Sequence, residues 1–134
     1  MSAENDFEKL MRNLIPPQPA RRKRPGFAAM GPDYACLLCP CGGDTLHHGK
    51  VDVYWRVEDS ALATQTTVVP AGALTMRTDG KGNPSSRRGG MTIAFWCEHC
   101  DQTNVLEISQ HKGSTLVNWN LSLAKPGDSG NRGD

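Results

Sequence analysis

Met91-Thr92-Ile93-Ala94-Phe95-Trp96-Cys97-Glu98-His99-Cys100 is an apolar run of β-branched and aromatic residues that ends in a CxxC pair. Such composition reads as a buried strand, and a CxxC pair just beyond a strand lets one tight turn aim two sulfurs at a single point. The matching half lies upstream, in Cys36-Leu37-Leu38-Cys39-Pro40-Cys41-Gly42-Gly43. Two such groups in one small chain predict a tetrahedral site for one structural Zn2+. Thiolate suits a borderline-soft d10 ion, and four thiolates fill its shell. A tetrahedral iron site would use the same sulfurs.

Cys97 and Cys100 supply one half of the site. Upstream, three cysteines compete for two places. Cys36 and Cys39 have the usual spacing, but Pro40 follows. The residue after the second cysteine of a zinc knuckle often takes a left-handed backbone, which proline does not reach. Cys41 is followed by Gly42-Gly43, which suits that position. Its mate is Cys39 across a single proline, or Cys36 across a wider loop; we take Cys39. The expected ligands are therefore Cys39, Cys41, Cys97 and Cys100. A Cys3His set would draw instead on His47, His48 or His99.

Working outward, the chain is mainly β. Val51, Val53, Trp55 and Val57 alternate with Asp52, Tyr54, Arg56 and Glu58, the pattern of a half-buried strand. Thr64 to Val69 and Leu74 to Thr78 form a second candidate pair, followed by a Gly-, Ser- and Arg-rich loop over 79–90. Val105 to Ser109 and Thr115 to Trp119 flank a turn at Gln110-His111-Lys112-Gly113. At the N-terminal end, Phe7, Leu10, Met11 and Leu14 make one apolar stripe of a short helix that Pro16-Pro17 stops. Residues 16–26 read as a stiff Pro-rich linker carrying Arg21-Arg22-Lys23-Arg24. The expected organisation is a helix and basic arm over 1–30, a metal-stapled β domain over 31–123 and a disordered tail over 124–134.

Composition narrows the function classes. The chain has 134 residues, of which 37% are hydrophobic, so its core is small and a metal staple is useful. No window is apolar enough to span a membrane, and the polar, acidic start is unlike an export signal. A cytoplasmic, reducing setting is expected, which agrees with five cysteines, an odd number.

The stretches Cys39-Pro40-Cys41-Gly42-Gly43-Asp44-Thr45-Leu46-His47-His48, Phe95-Trp96-Cys97-Glu98-His99-Cys100 and Gln110-His111-Lys112-Gly113-Ser114-Thr115 resemble the small zinc-ribbon proteins of bacteriophages, prophages and their bacterial hosts. The resemblance covers roughly residues 36–120. It implies antiparallel zinc-ribbon hairpins and a phage-related context, and no activity. The family pattern has CPxCG upstream, whereas Cys39-Pro40-Cys41-Gly42 is one residue shorter.

A metal held by four thiolates has no open position for water or substrate, so an enzyme is not expected. The HxE and PCxxC pattern of zinc deaminases is missing. An HNH-like nuclease is a minor alternative suggested by His47-His48 and Asn83 between the cysteine pairs. It lacks a histidine between Asn83 and His99. The expectation is a non-enzymatic binding module. Residues 1–30 carry six basic and three acidic side chains, and the rest nine basic and eleven acidic. Nucleic-acid contact should therefore come from Arg21, Arg22, Lys23 and Arg24, with Arg87 and Arg88 in the loop. The alternative is a protein-interaction module whose N-terminal stripe docks on a host transcription or defence protein.

Overall fold

A computed structural model describes residues 20–57, 63–72, 74–78 and 81–127. The expected N-terminal helix and most of the expected tail lie outside these residues. Among the described residues nine strands form, all paired antiparallel: β1 (Arg22–Lys23), β2 (Gly26–Ala29), β3 (Ala35–Leu38), β4 (Leu46–Trp55), β5 (Thr64–Val68), β6 (Leu74–Arg77), β7 (Gly90–Cys97), β8 (Gln102–His111) and β9 (Ser114–Pro126). Seven build one sheet in the order β1-β9-β8-β7-β4-β5-β6, and β2 and β3 make a separate hairpin. No helix among the described residues is long and apolar enough to cross a membrane.

The strand Met91 to Trp96 sits at the centre of this sheet as β7, between β4 and β8. The β8–β9 hairpin turns at Lys112 and Gly113, both with positive φ (49° and 85°). The strand pattern crosses the expected boundaries at both ends. Arg22 pairs with Asn120 and Lys23 with Trp119, so part of the basic arm is an edge strand rather than a linker. The reason is backbone satisfaction: Leu121 N donates to Arg21 O at 2.7 Å, covering an edge of β9 that would otherwise be open. At the other end β9 runs to Pro126, and Gly127 N donates to Asp101 O at 2.7 Å.

Register divides the sheet into two unlike faces. On one, Trp119, Leu106, Ile93, Val51, Val68 and Leu74 lie in a row across β9 to β6. Beside it runs a second row, Val117, Ile108, Met91, Val53, Thr66 and Met76. On the other face Asn118, Glu107, Thr92, Asp52 and Thr67 form a polar row. Alternation in β4 predicts burial of Val51, Val53 and Trp55, yet Asp52 and Tyr54 are the buried members and Trp55 is 73% exposed. The polar row is covered because its groups satisfy one another and the 81–89 loop packs there. Asp52 accepts hydrogen bonds from Gln65 Nε2 at 2.9 Å and from the Thr67 hydroxyl. Glu107 accepts from Asn118 Nδ2 at 2.9 Å, Asn120 Nδ2 at 3.0 Å and Arg22 Nε at 3.2 Å. Ser85 Oγ of the loop donates to Gln110 O at 2.9 Å. Buried carboxylates survive only with such partners.

Candidate metal centre

Two turns bring the sulfurs together. In the upstream turn Gly42 N donates to Cys39 O at 2.8 Å, which makes Cys39-Pro40-Cys41-Gly42 a tight turn with proline at its second position. Pro40 therefore helps the turn, because its fixed φ is already the one required there. Gly42 has φ of 93°, the left-handed value expected after the second cysteine. The downstream turn repeats the device: Asp101, directly after Cys100, has φ of 52°, and its N–H donates to Cys97 O at 3.0 Å. The turns abut so closely that a Cβ on Gly43 would lie 2.6 Å from the His99 ring.

Cys39 Sγ lies 3.8 Å from Cys100 Sγ, and Cys41 Sγ lies 3.7 Å from Cys97 Sγ. All four sulfurs fall within 4.8 Å of one another. A tetrahedron of sulfurs at about 2.3 Å from a central ion has edges of about 3.8 Å. Thiolate donors at this spacing fit a divalent, tetrahedral ion and could hold one. The pairing also excludes a disulfide, whose S–S bond is about 2.05 Å; all five cysteines are free. Cys36 stands apart, its thiol directed to Asp44 O at 3.4 Å. His47, His48 and His99 are outside the cluster. His47 Nε2 is 2.7 Å from Glu98 Oε1, and His99 Nε2 is 3.2 Å from Asp44 Oδ1 and 2.9 Å from Thr45 Oγ1.

Electrostatics around the sulfurs are uneven. Burial pushes the Cys39 and Cys100 thiols up. A hydrogen bond from Gly43 N at 3.4 Å, with its neighbouring thiols, brings exposed Cys41 down to about 7. A bound cation is what allows buried thiols to ionise together. Asp44 is held below the usual carboxylate range chiefly by its hydrogen bond to His99.

No family model, curated protein or solved structure matches this chain.

Around the sulfurs stand groups that motif spacing does not reveal. Asn104 Nδ2 points at Cys39 Sγ from 3.7 Å, and Lys23 Nζ donates to Pro40 O at 3.0 Å. Asn104 shares the apolar face with Phe95, its partner in register, and is 4% exposed. Only a strand register carries that information, and one sequence does not supply it. The expected nucleic-acid residues are placed on two elements. Arg21 and Arg24 are exposed on either side of β1, while Arg22 is engaged by Glu107. Arg87 and Arg88 lie in the loop before β7, where Arg88 N donates to Ser85 Oγ at 3.2 Å.

Proposed function

We propose that this protein is a non-enzymatic binding module of zinc-ribbon type, stabilised by one Zn2+, that contacts nucleic acid through its polar face. Four thiolates would saturate the ion, leaving it a structural and not a catalytic role. The observation that carries the nucleic-acid reading is one cleft of about 340 Å3 on the polar face. Arg22 of the basic arm and Pro84, Ser85 and Ser86 of the loop line it together. Arm and loop, far apart in sequence, thus meet on one side of the sheet, with Arg87 and Arg88 following Ser86, while Arg24 lines a second cavity beside Trp119. The Arg22 guanidinium and the Ser85 and Ser86 hydroxyls suit phosphate oxygens, with Glu107, which also lines the cleft, holding Arg22 in place. Free thiols agree with a reducing setting, and the resemblance of the cysteine stretches to phage-encoded zinc ribbons is what suggests a phage-related context.

The decisive experiment titrates the intact protein against unrelated duplex DNA and RNA at several salt concentrations. Arg21→Ala, Arg24→Ala, Arg87→Ala and Arg88→Ala should each flatten the log-affinity against log-salt slope by about 0.9 on duplex DNA if the residue neutralises a phosphate. The metal should be retained throughout. An intact protein that binds neither nucleic acid at low salt removes this reading.

A protein-interaction module is the second reading, favoured by a corner of the apolar face that stays open. Trp55, Val68, Leu74 and Met76 there are 73%, 46%, 60% and 72% exposed. Binding at that corner would bury apolar area and respond little to salt.

A further inference from the structure

The polar face of the sheet divides into two halves. Over the half away from the cysteines lies the 81–89 loop, and Asp52, Thr92 and Glu107 are buried there. Toward the cysteines the same face continues as Ala94 and Trp96 on β7, Thr103 on β8 and Lys50 on β4. Here a hollow of about 350 Å3 opens, within the size range of ligand sites. Its floor is low because of the residues that form it. A β-bulge between His48 and Val51 sets two residues, Gly49 and Lys50, opposite one, Ala94. Glycine and alanine leave open the space that larger side chains would fill.

The walls are of two kinds. Trp96, Val69 and Pro70 form an apolar one. The Trp96 indole is held in place, its Nε1–H donating to Asp101 Oδ1 at 2.8 Å and the His47 ring lying 5.5 Å away at a tilt of 34°. The polar groups are the Thr103 hydroxyl and the ammonium groups of Lys50 and Lys125, and no carboxylate among the described residues lines the hollow. Lys50 Nζ lies 3.7 Å from Asp52 Oδ2, a carboxylate already bonded to Gln65 and Thr67, and its side chain remains 56% exposed. An occupant must therefore combine a flat apolar body with negative charge at its edge.

We propose that this hollow takes an unpaired nucleobase with its phosphate, so that the polar face binds single-stranded nucleic acid in preference to duplex. This rests on the nucleic-acid reading above and names its substrate class. The base lies against the indole and the Val69–Pro70 wall, while Lys50 and Lys125 reach its phosphates from opposite sides of the floor. A base stacked inside a duplex cannot enter such a hollow. The cleft at Arg22 lies on the same face. Thr103 and Glu107, one in each, stand on β8 roughly 13 Å apart, so one extended strand spans both.

The test titrates the intact, metal-loaded protein with an oligothymidylate and with duplex DNA of the same length at one salt concentration. The single strand should bind about tenfold tighter. Ala94→Leu fills the hollow without changing charge. It should remove that preference while duplex affinity and metal content stay as they were. Lys50→Ala/Lys125→Ala should lower single-strand affinity more than duplex affinity. In NMR spectra of the unaltered protein, the Trp96 indole N–H and the Ala94 methyl should shift on adding the oligothymidylate and not on adding duplex. Equal affinity for the two forms overturns the proposal and leaves nucleic-acid binding standing. So do a preference that Ala94→Leu keeps and an unmoved Trp96 signal, the latter needing no variant to fold. A protein that binds neither form removes both readings.

Discussion

Cys41 and Cys36 differ by five positions and by everything that matters to a metal. Cys41 stands within the sulfur cluster on a turn closed by Gly42, whereas Cys36 bonds to a carbonyl. Cys41→Ser should abolish stoichiometric metal retention after chelator washing, and Cys36→Ser should leave it intact; metal content per chain reads both. The Asn104 amide aimed at Cys39 Sγ orients that ligand, so Asn104→Ala should weaken metal affinity about tenfold in a competitive chelator titration. Trp119 makes a different point. Its Nε1 is the buried side-chain polar atom without a partner among the described residues. Trp119→Phe removes that unmet donor along with some volume, so the two terms oppose and the change in stability should stay within about 1 kcal/mol. Trp119→Ala should cost about 3–5 kcal/mol by the cavity it leaves. Denaturant unfolding separates these outcomes. The ligand reasoning was legible in sequence because turn chemistry is local: proline and glycine declare their dihedral angles wherever they stand. Asn104 was not, because its role arises only when β8 is laid beside β7.

At the scale of elements, β1 shows how a basic, proline-flanked stretch becomes part of a sheet. Its charge and prolines argue for a linker, but the edge of β9 offers backbone partners and Glu107 offers a carboxylate. Glu107 is 5% exposed at its side chain, while Arg22 is half exposed. Losing the arginine should therefore be mild, below about 1 kcal/mol after solvent screening. Glu107→Ala leaves the buried Asn120 amide and its neighbours without an acceptor and should cost about 2–3 kcal/mol. Thermal unfolding of the two variants tests this order, and a larger loss for Arg22→Ala would reverse the account of the pair. The strands themselves were readable: β4 from alternation, β7 from its apolar run, and β8 and β9 from the turn between them. Which face of β4 would be buried was not, because its polar face is closed by hydrogen bonds instead of apolar contact.

At the scale of the whole molecule, the described residues form a broad antiparallel sheet with the four-cysteine cluster at one end, where β4 begins, β7 ends and β8 starts. A metal bound there would join the hairpin β2–β3 to the large sheet through sulfur, and so tie sequence positions about sixty residues apart. Metal removal should consequently unfold more than two turns. Chelation should lower the melting temperature cooperatively, and acid should release the ion because protons compete for thiolate. Mainly-β architecture and the two cysteine groups could be read from the chain alone. The seven-strand order could not, since it depends on β4 crossing over to pair with β7 while β5 and β6 extend the far side. The most direct test of the account is cysteine alkylation of the native, full-length protein, read by mass spectrometry alongside elemental analysis. One zinc per chain with Cys36 alone modified, and all five cysteines modified after chelation in denaturant, is the predicted result. A metal-free protein, or one in which Cys39, Cys41, Cys97 or Cys100 reacts as readily as Cys36, would contradict it.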